Sequence, residues 1–552
     1  MASFIESVTK QVNAAMADIE HIKTQYTTPS DETKGTYQGN ESPKVTPRSY
    51  ANTVFKLPIQ YIDPSCRFAL SPIVANDLEL VNTLDDSIPS MYDSTFCPDT
   101  SFAEQIVPMF QNEYTTDISF LQDTQQVIRD MDVFYPPTPI TYDVPCDTIQ
   151  NNWTTVKHDP KFMETYGYLE WNMLKEYNKN SIVLQSLTIS NMLSPIMSFL
   201  IPILFLIFPF VILKIQSVPI TWEIYLKVLK DIARHHFIGK ALSVFENFSM
   251  QKMMYFLFLI GLYFFQMYQN TVQCLRFYKN VQRINEELCE WKRFRNHMSR
   301  RIELFLTKYD RISTYKPFCD CLRDHTEVLQ EMYYMLEPIQ PFSCSISKTT
   351  EIGYMLKCYY ELNTNTEYEN TILYCMGFEG YLRCLYGVHK QWKEGILNST
   401  NFTIGAPDPI QVTEVDISGE KELNNNEPPC VMRNQFYPPH THNENCVKND
   451  VNLDTYTIIT GPNASGKTTY LKTTAINVIL SQQLGFGFYS ECTMKPYTHI
   501  HSYLNIPDTS GRDSLFQAES RRCKTILESI QQHDTGHHFC IFDELYSGTN
   551  PK

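Results

Sequence analysis

The run Gly461-Pro462-Asn463-Ala464-Ser465-Gly466-Lys467-Thr468-Thr469 satisfies the pattern G-x-x-x-x-G-K-[ST]. Each residue type in it suits the holding of phosphates. Glycines let backbone N–H groups turn inward around phosphate oxygens, and a helix starting there adds the positive end of its dipole. Lys467 would neutralise the terminal phosphates, and Thr468 would supply a hydroxyl to Mg²⁺. The whole run from Gly461 to Thr469 is therefore a candidate ATP-binding segment. A second stretch, His538-Phe539-Cys540-Ile541-Phe542-Asp543-Glu544, is an apolar strand ending in two carboxylates. Asp543 would hold Mg²⁺, through water, and Glu544 would orient or deprotonate the attacking water. Neighbouring strand residues point to opposite faces, so the strand end and its turn must bring both carboxylates into play. An acidic turn after a strand is ordinary by itself. Downstream of the glycine-rich loop it points to Mg²⁺-dependent ATP hydrolysis.

These groups need elements to position them. From about residue 451 short apolar runs alternate with helical segments: a strand is expected over Thr455–Thr460, a helix from Lys467 to Leu484, and a second strand over Phe539–Phe542. Strands alternating with helices imply a parallel sheet covered on both sides. The expected fold is an α/β P-loop ATPase domain preceded by largely helical domains that carry a hydrophobic helical hairpin.

The loop Gly461-Pro462-Asn463…Gly466-Lys467-Thr468 resembles those of the MutS, ABC-transporter and SMC ATPases. Two stretches choose among them. Asp543-Glu544 is followed by Leu545-Tyr546-Ser547-Gly548-Thr549-Asn550, which is similar to the Asp-Glu-x-x-x-Gly-Thr of MutS proteins. Asp513-Ser514-Leu515-Phe516-Gln517-Ala518-Glu519 resembles the MutS signature segment. The lead-in, Gln435 to His440 and then Asn449-Asp450, resembles the family's approach to its ATPase strand. The resemblance covers residues 431–552. It implies a dimer, homomeric or heteromeric, in which Ser514 faces the ATP of the other subunit, and it implies DNA as a partner. Cys446 stands where many relatives carry an aromatic against adenine, and Phe102-Ala103-Glu104 lacks the setting of the family's mismatch-reading Phe-x-Glu. The sequence stops at Lys552, shortly after Glu544, so the family's remaining strands and dimerising helices are expected beyond it. The truncated domain is expected to turn over slowly.

The rest of the chain divides by texture. Residues 1–50 read as an amphipathic N-terminal helix, over 2–26, and a flexible linker. Residues 51–180 read as a small, mostly helical domain, and 276–430 as a helical core or lever. Between them, Ser181–Leu213 holds no charged residue, nor does Met253–Leu275. Each run is close to the roughly 20 residues that cross a bilayer's hydrocarbon core, so 181–275 is a candidate transmembrane hairpin. The same runs also fit two buried core helices. Pro195, Pro202 and Pro209 each remove a backbone donor, which membrane helices tolerate better than exposed ones.

With 552 residues and 43% hydrophobic content the chain can fold several cores, and 16 unevenly spaced cysteines suit reduced thiols. Neither Cys319 and Cys321 nor His440, His442 and Cys446 have the spacing of a zinc site. A net charge of −15 argues against a protein that merely coats nucleic acid. Two functions stay open: a MutS-like ATPase coupled to mismatched DNA or repair, and a membrane-anchored mechanochemical ATPase that reads no mismatch. The first allows a cytoplasmic or nuclear protein; the hairpin implies membrane association with the ATPase facing the cytosol.

Overall fold

The computed structural model describes residues 54–83, 85, 87–136, 144–217, 219–232, 250–342, 346–403, 430–441, 446–453, 456–504 and 515–546. The expected helix over 2–26, Ser514 and the turn Ser547–Asn550 lie outside the described residues. The chain separates into two compact units, Met1–Pro47 and Arg48–Lys552, and all described residues belong to the second.

The N-terminal part is built from short capped helices. These are α1 (Pro72–Asp77), α2 (Met91–Phe96), α3 (Ser101–Ile106), α4 (Ile118–Arg129), α5 (Cys146–Lys157) and α6 (Phe162–Tyr166). Side chains of Ser71, Ser90, Thr100 and Asp117 accept the first free N–H groups of α1 to α4, which lets such short segments hold helical form. β1 (Arg67–Ala69) and β2 (Glu113–Thr115) pair antiparallel among them.

Long helices follow: α7 (Ser181–Ile215), α8 (Trp222–Ile232), α9 (Met250–Tyr309), α10 (Lys316–Leu336), α11 (Ile346–Thr364) and α12 (Thr366–Lys393). Of the helically spaced Phe318, Cys321, Leu322, Val328, Leu329, Met332 and Met335, Cys321 and Val328 are part-buried and the other five lie on the buried face of α10. α12 is the central element, and α3 and α2 lie directly on it. A Cβ at Gly380 would sit 2.3 Å from the Phe102 carbonyl oxygen, and one at Gly387 only 1.7 Å from that of Phe96, so only glycine permits this approach. Phe102 and Ala103 are thus core residues under α12. Beside them Glu379 is fully buried and receives the Tyr135 hydroxyl at 3.0 Å. Burial pushes its carboxyl pKa up, but the His297 hydrogen bond and the Arg301 and Arg383 charges outweigh that and hold it at about 2.

The C-terminal part contains β3 (Asn398–Phe402), β4 (Val431–Gln435), β5 (Asn449–Asn452), α13 (Lys467–Leu484), β6 (Phe486–Gly487), β7 (Glu491–Met494), β8 (His499–Tyr503), α14 (Leu515–Gln532) and β9 (His538–Phe542). One sheet has the order β5-β4-β7-β3-β6; only β3 and β7 run parallel in it. β8 and β9 form a separate parallel pair, in register from His499↔His538 to Tyr503↔Phe542, with α14 as the crossover. The all-parallel sheet expected from the sequence is therefore realised only in part. The strand expected over Thr455–Thr460 is also absent: residues 456–460 are in no strand, and Tyr456 and Ile458 are exposed. Apolar alternation makes a strand only beside a partner ladder, and among the described residues none reaches this segment.

One hydrophobic core runs from Phe55 to Ile541, so the changes of texture at 180 and 430 occur inside a single packed body. The second half of α13 is sunk in it. Gln482 donates to the carbonyls of Thr115 and Tyr497, Gln483 to those of Phe110 and Glu113, and Gln125 of α4 to those of Thr400 and Gly485.

The hairpin joins the core only at its base, through Leu184, Leu187 and Met192. α7 runs unbroken through its three prolines, and of Ser181–Leu204 only Leu184 and Thr188 are buried. That stretch is long and apolar enough to cross a membrane, the one such helix among the described residues. Phe199 and Leu204 of α7 and Phe258 and Phe265 of α9 are exposed. Pro202 leaves the Ser198 carbonyl without its helical donor, and the Tyr263 hydroxyl of α9 donates to it at 2.5 Å. Asn270 donates to the Ser198 hydroxyl at 2.7 Å.

Candidate nucleotide site

The glycine-rich loop leads straight into α13. Gly466 is the N-cap, with φ +88°, and Ala464 also lies in the left-handed region, with φ +61°. Gly466 adopts that conformation freely, whereas Ala464 costs about 1 kcal/mol. The loop from Gly461 through Gly466, with Pro462, Asn463, Ala464 and Ser465, is exposed, as a ligand-binding loop must be. The Lys467 ammonium folds back across it and donates to the carbonyl oxygens of Gly461 and Pro462, at 3.0 Å each. Thr469 follows in the first turn of α13.

The decisive contact joins the two motifs. Thr468 Oγ1 donates to Asp543 Oδ2 at 2.5 Å. Asp543 is held from behind, its N–H donating to the Tyr503 carbonyl at 3.0 Å, which extends the β8–β9 ladder by one bond. Glu544 then leaves the strand with φ +46° and is exposed, so the two carboxylates separate at the turn, as the alternation of strand residues requires. Tyr546 closes that turn: its N–H donates to the Tyr503 hydroxyl at 3.3 Å, and its ring lies 5.7 Å from Phe516 of α14.

A hydroxyl and a carboxylate converging at a helix N-terminus are hard oxygen donors of the kind Mg²⁺ takes, and the adjoining N–H groups and Lys467 suit phosphate oxygens. Thr468 and Asp543 would hold the metal. Among the described residues no group of three or more His, Cys, Asp or Glu is arranged to hold a metal ion. Cys446 packs against the hydrophobic core.

Some partners of the site carried no local sequence signal. Tyr470 on α13 donates to the Asp450 carbonyl at 3.1 Å. The Asp450 carboxylate accepts the Asn434 N–H at 2.9 Å and pairs with Arg433 at 2.7 Å, and these two hold its pKa below the usual range. Lys472 of α13 pairs with Glu79 at 2.7 Å, and Arg522 of α14 with Asp77 at 2.8 Å. Pairs so distant in the chain are invisible to motif and period alike.

At the other end of β8–β9 four imidazoles gather. His499 stacks on His538, with ring centres 4.6 Å apart, and lies 4.4 Å from His533; His501 faces His538 with 3.1 Å between ring nitrogens. Burial, then repulsion from the neighbouring rings, lowers the pKa of both His499 and His501 to about 4.

Comparison with known proteins bears on the same stretch. The model of the family described as MutS domain V matches residues 457–552. The chain is 35% identical over 107 residues to a DNA mismatch repair protein MutS of Leuconostoc mesenteroides, covering 19% of this chain and 12% of that protein. It is 33% identical over 110 residues to a DNA mismatch repair protein MSH3 of Debaryomyces hansenii, covering 19% and 10%. It is 32% identical over 108 residues to an endonuclease MutS2 of Lactococcus lactis, covering 20% and 14%. The chain thus spans only a small part of the length of the relatives it matches.

Proposed function

The C-terminal part of the chain, residues 457–552, belongs to the MutS family, and from that premise we propose that the protein binds ATP with Mg²⁺ and hydrolyses it, coupled to DNA binding in mismatch repair. The observation that carries the reading is the 2.5 Å bond between Thr468 and Asp543, which brings the two halves of a hydrolytic site onto one point. Lys467 supplies the counter-charge for the terminal phosphates, and the N–H groups at the start of α13 cradle them. Glu544, exposed beyond the strand end, is free to orient and deprotonate water. Bound Mg²⁺ supplies neutralisation of phosphate charge. DNA enters as a partner from the names of the three relatives above, DNA mismatch repair proteins and an endonuclease, and a second ATPase subunit, homomeric or heteromeric, enters from the resemblance of the Ser514 segment to the MutS signature. Ser514 is the residue assigned to the partner's nucleotide.

The test is binding of a fluorescent ATP analogue. Lys467→Ala should abolish it, because the phosphate charges lose their main counter-charge. Equal affinity in variant and wild type would remove the assignment.

A second reading rests on the hairpin. From Ile196 to Phe210 α7 exposes many of its large apolar side chains, which suits a membrane span. A hydroxyl of α9 satisfies the carbonyl that Pro202 leaves open, as a helix in lipid requires. In this reading the protein is membrane-anchored, its ATPase faces the cytosol, and it acts mechanically without reading mismatches.

A further inference from the structure

The turn that ends α1 stands beside both halves of the nucleotide site. Asp77, 7% exposed, accepts from the Ser502 hydroxyl at 2.6 Å and from Arg522 Nη1 at 2.8 Å. Ser502 immediately precedes Tyr503, whose carbonyl holds Asp543, and Arg522 lies on the helix that links β8 to β9. Two residues after Asp77, Glu79 accepts from Lys472 Nζ at 2.7 Å, and Lys472 shares α13 with Lys467 and Thr468. Glu79 has φ +55°, a conformation that a residue with a side chain adopts only when its surroundings enforce it. That twist sends the two carboxylates to two different elements.

We propose that the Asp77–Glu79 turn is a strut through which the helical body sets the position of α13 against the β8–α14–β9 unit, and thereby the ATP affinity of the site. The proposal rests on the nucleotide reading above. α13 and β9 meet at the site through the Thr468–Asp543 bond. The strut is a second tie between α13 and the β8–α14–β9 unit, reaching that unit at Ser502 of β8 and Arg522 of α14, and it is made of charge-assisted bonds in a largely buried place. Buried ion pairs add little net stability once desolvation is counted, so their use here is to select one arrangement. Asp77 and Glu79 act as positioning residues through their bonds to Ser502, Arg522 and Lys472.

The test uses Glu79→Gln and Asp77→Asn, which remove charge at constant shape, in the full chain. Affinity for a fluorescent ATP analogue, turnover against ATP concentration, thermal midpoint and amide hydrogen exchange are measured for each. Glu79→Gln should weaken analogue affinity about tenfold, within the usual range of site-to-site coupling, and leave saturated turnover within about twofold. It should also speed exchange in β8 and β9, although its own bond goes to α13. Should Glu79→Gln fold poorly, Glu79→Met with Lys472→Met replaces the pair by apolar groups of similar volume, which buried sites accept; the weaker affinity should persist. Wild-type affinity in these variants overturns the strut. If wild type itself does not bind the analogue, the nucleotide reading fails, and exchange alone then decides: acceleration confined to α13 overturns the strut, and acceleration reaching β8 and β9 upholds it.

Discussion

At the scale of single residues, the proposed function divides the labour between carboxylates that are neighbours in sequence and diverge in space. Asp543 ends the ladder and is anchored by Tyr503 and Thr468, which suits a group that must stay still to hold a cation. Glu544 sits past a left-handed step and faces solvent, which suits a group that meets water. Glu544→Gln should therefore keep ATP bound, since the cation and phosphate contacts remain. It should lower turnover at least about 100-fold, the usual worth of a general base. Phosphate release alongside analogue binding measures both. Normal turnover in that variant would mean that another group activates the water.

Among elements, β8 and β9 carry opposite loads at their two ends. One end presents Asp543, and the other stacks His499, His501, His533 and His538. With pKa values near 4, His499 and His501 stay neutral in the folded protein well below the ordinary histidine value of about 6.5. The unfolded chain takes up these protons first as pH falls. Stability from this ladder is thus fully present above about pH 6.5, declines towards about pH 4, and levels off below. Denaturant midpoints should drop between about pH 7 and about pH 5, and His499→Gln with His501→Gln should flatten that slope. An unchanged slope in the double variant would assign the acid sensitivity to other groups.

For the whole molecule, the body and the hairpin follow different rules. The body joins the N-terminal helices to α13 through buried polar bonds such as those of Gln125, Gln482 and Gln483. The hairpin leaves its large apolar side chains uncovered. Its proper solvent, on the second reading, is lipid. The protein should then remain in the membrane fraction after an alkaline, high-salt wash, because apolar burial is not screened by salt. Phe199→Lys with Phe264→Lys, each costing about 2.5–3.5 kcal/mol near a span's centre, should release it. Recovery of the wild type in the wash would send the hairpin to a protein partner instead.

Composition and spacing by themselves pointed to the candidate chemistry and to most of the elements around it. The loop from Gly461 to Thr469, the helix behind it, the strand before Asp543 and the uncharged runs of the hairpin were all legible. These features are local: phosphate binding needs particular residue types within a few positions, and helical period or absence of charge is read within one segment. Only the tertiary structure decided which residues meet. It set Thr468 against Asp543, gave Arg522 a partner on α1 and Lys472 one in the turn after it, left Tyr456 and Ile458 outside any strand, and made most of the C-terminal sheet antiparallel. A strand exists only beside another strand, and a buried charge only beside its counter-charge. Both partners here come from distant parts of the chain, and their meeting depends on how the whole core closes.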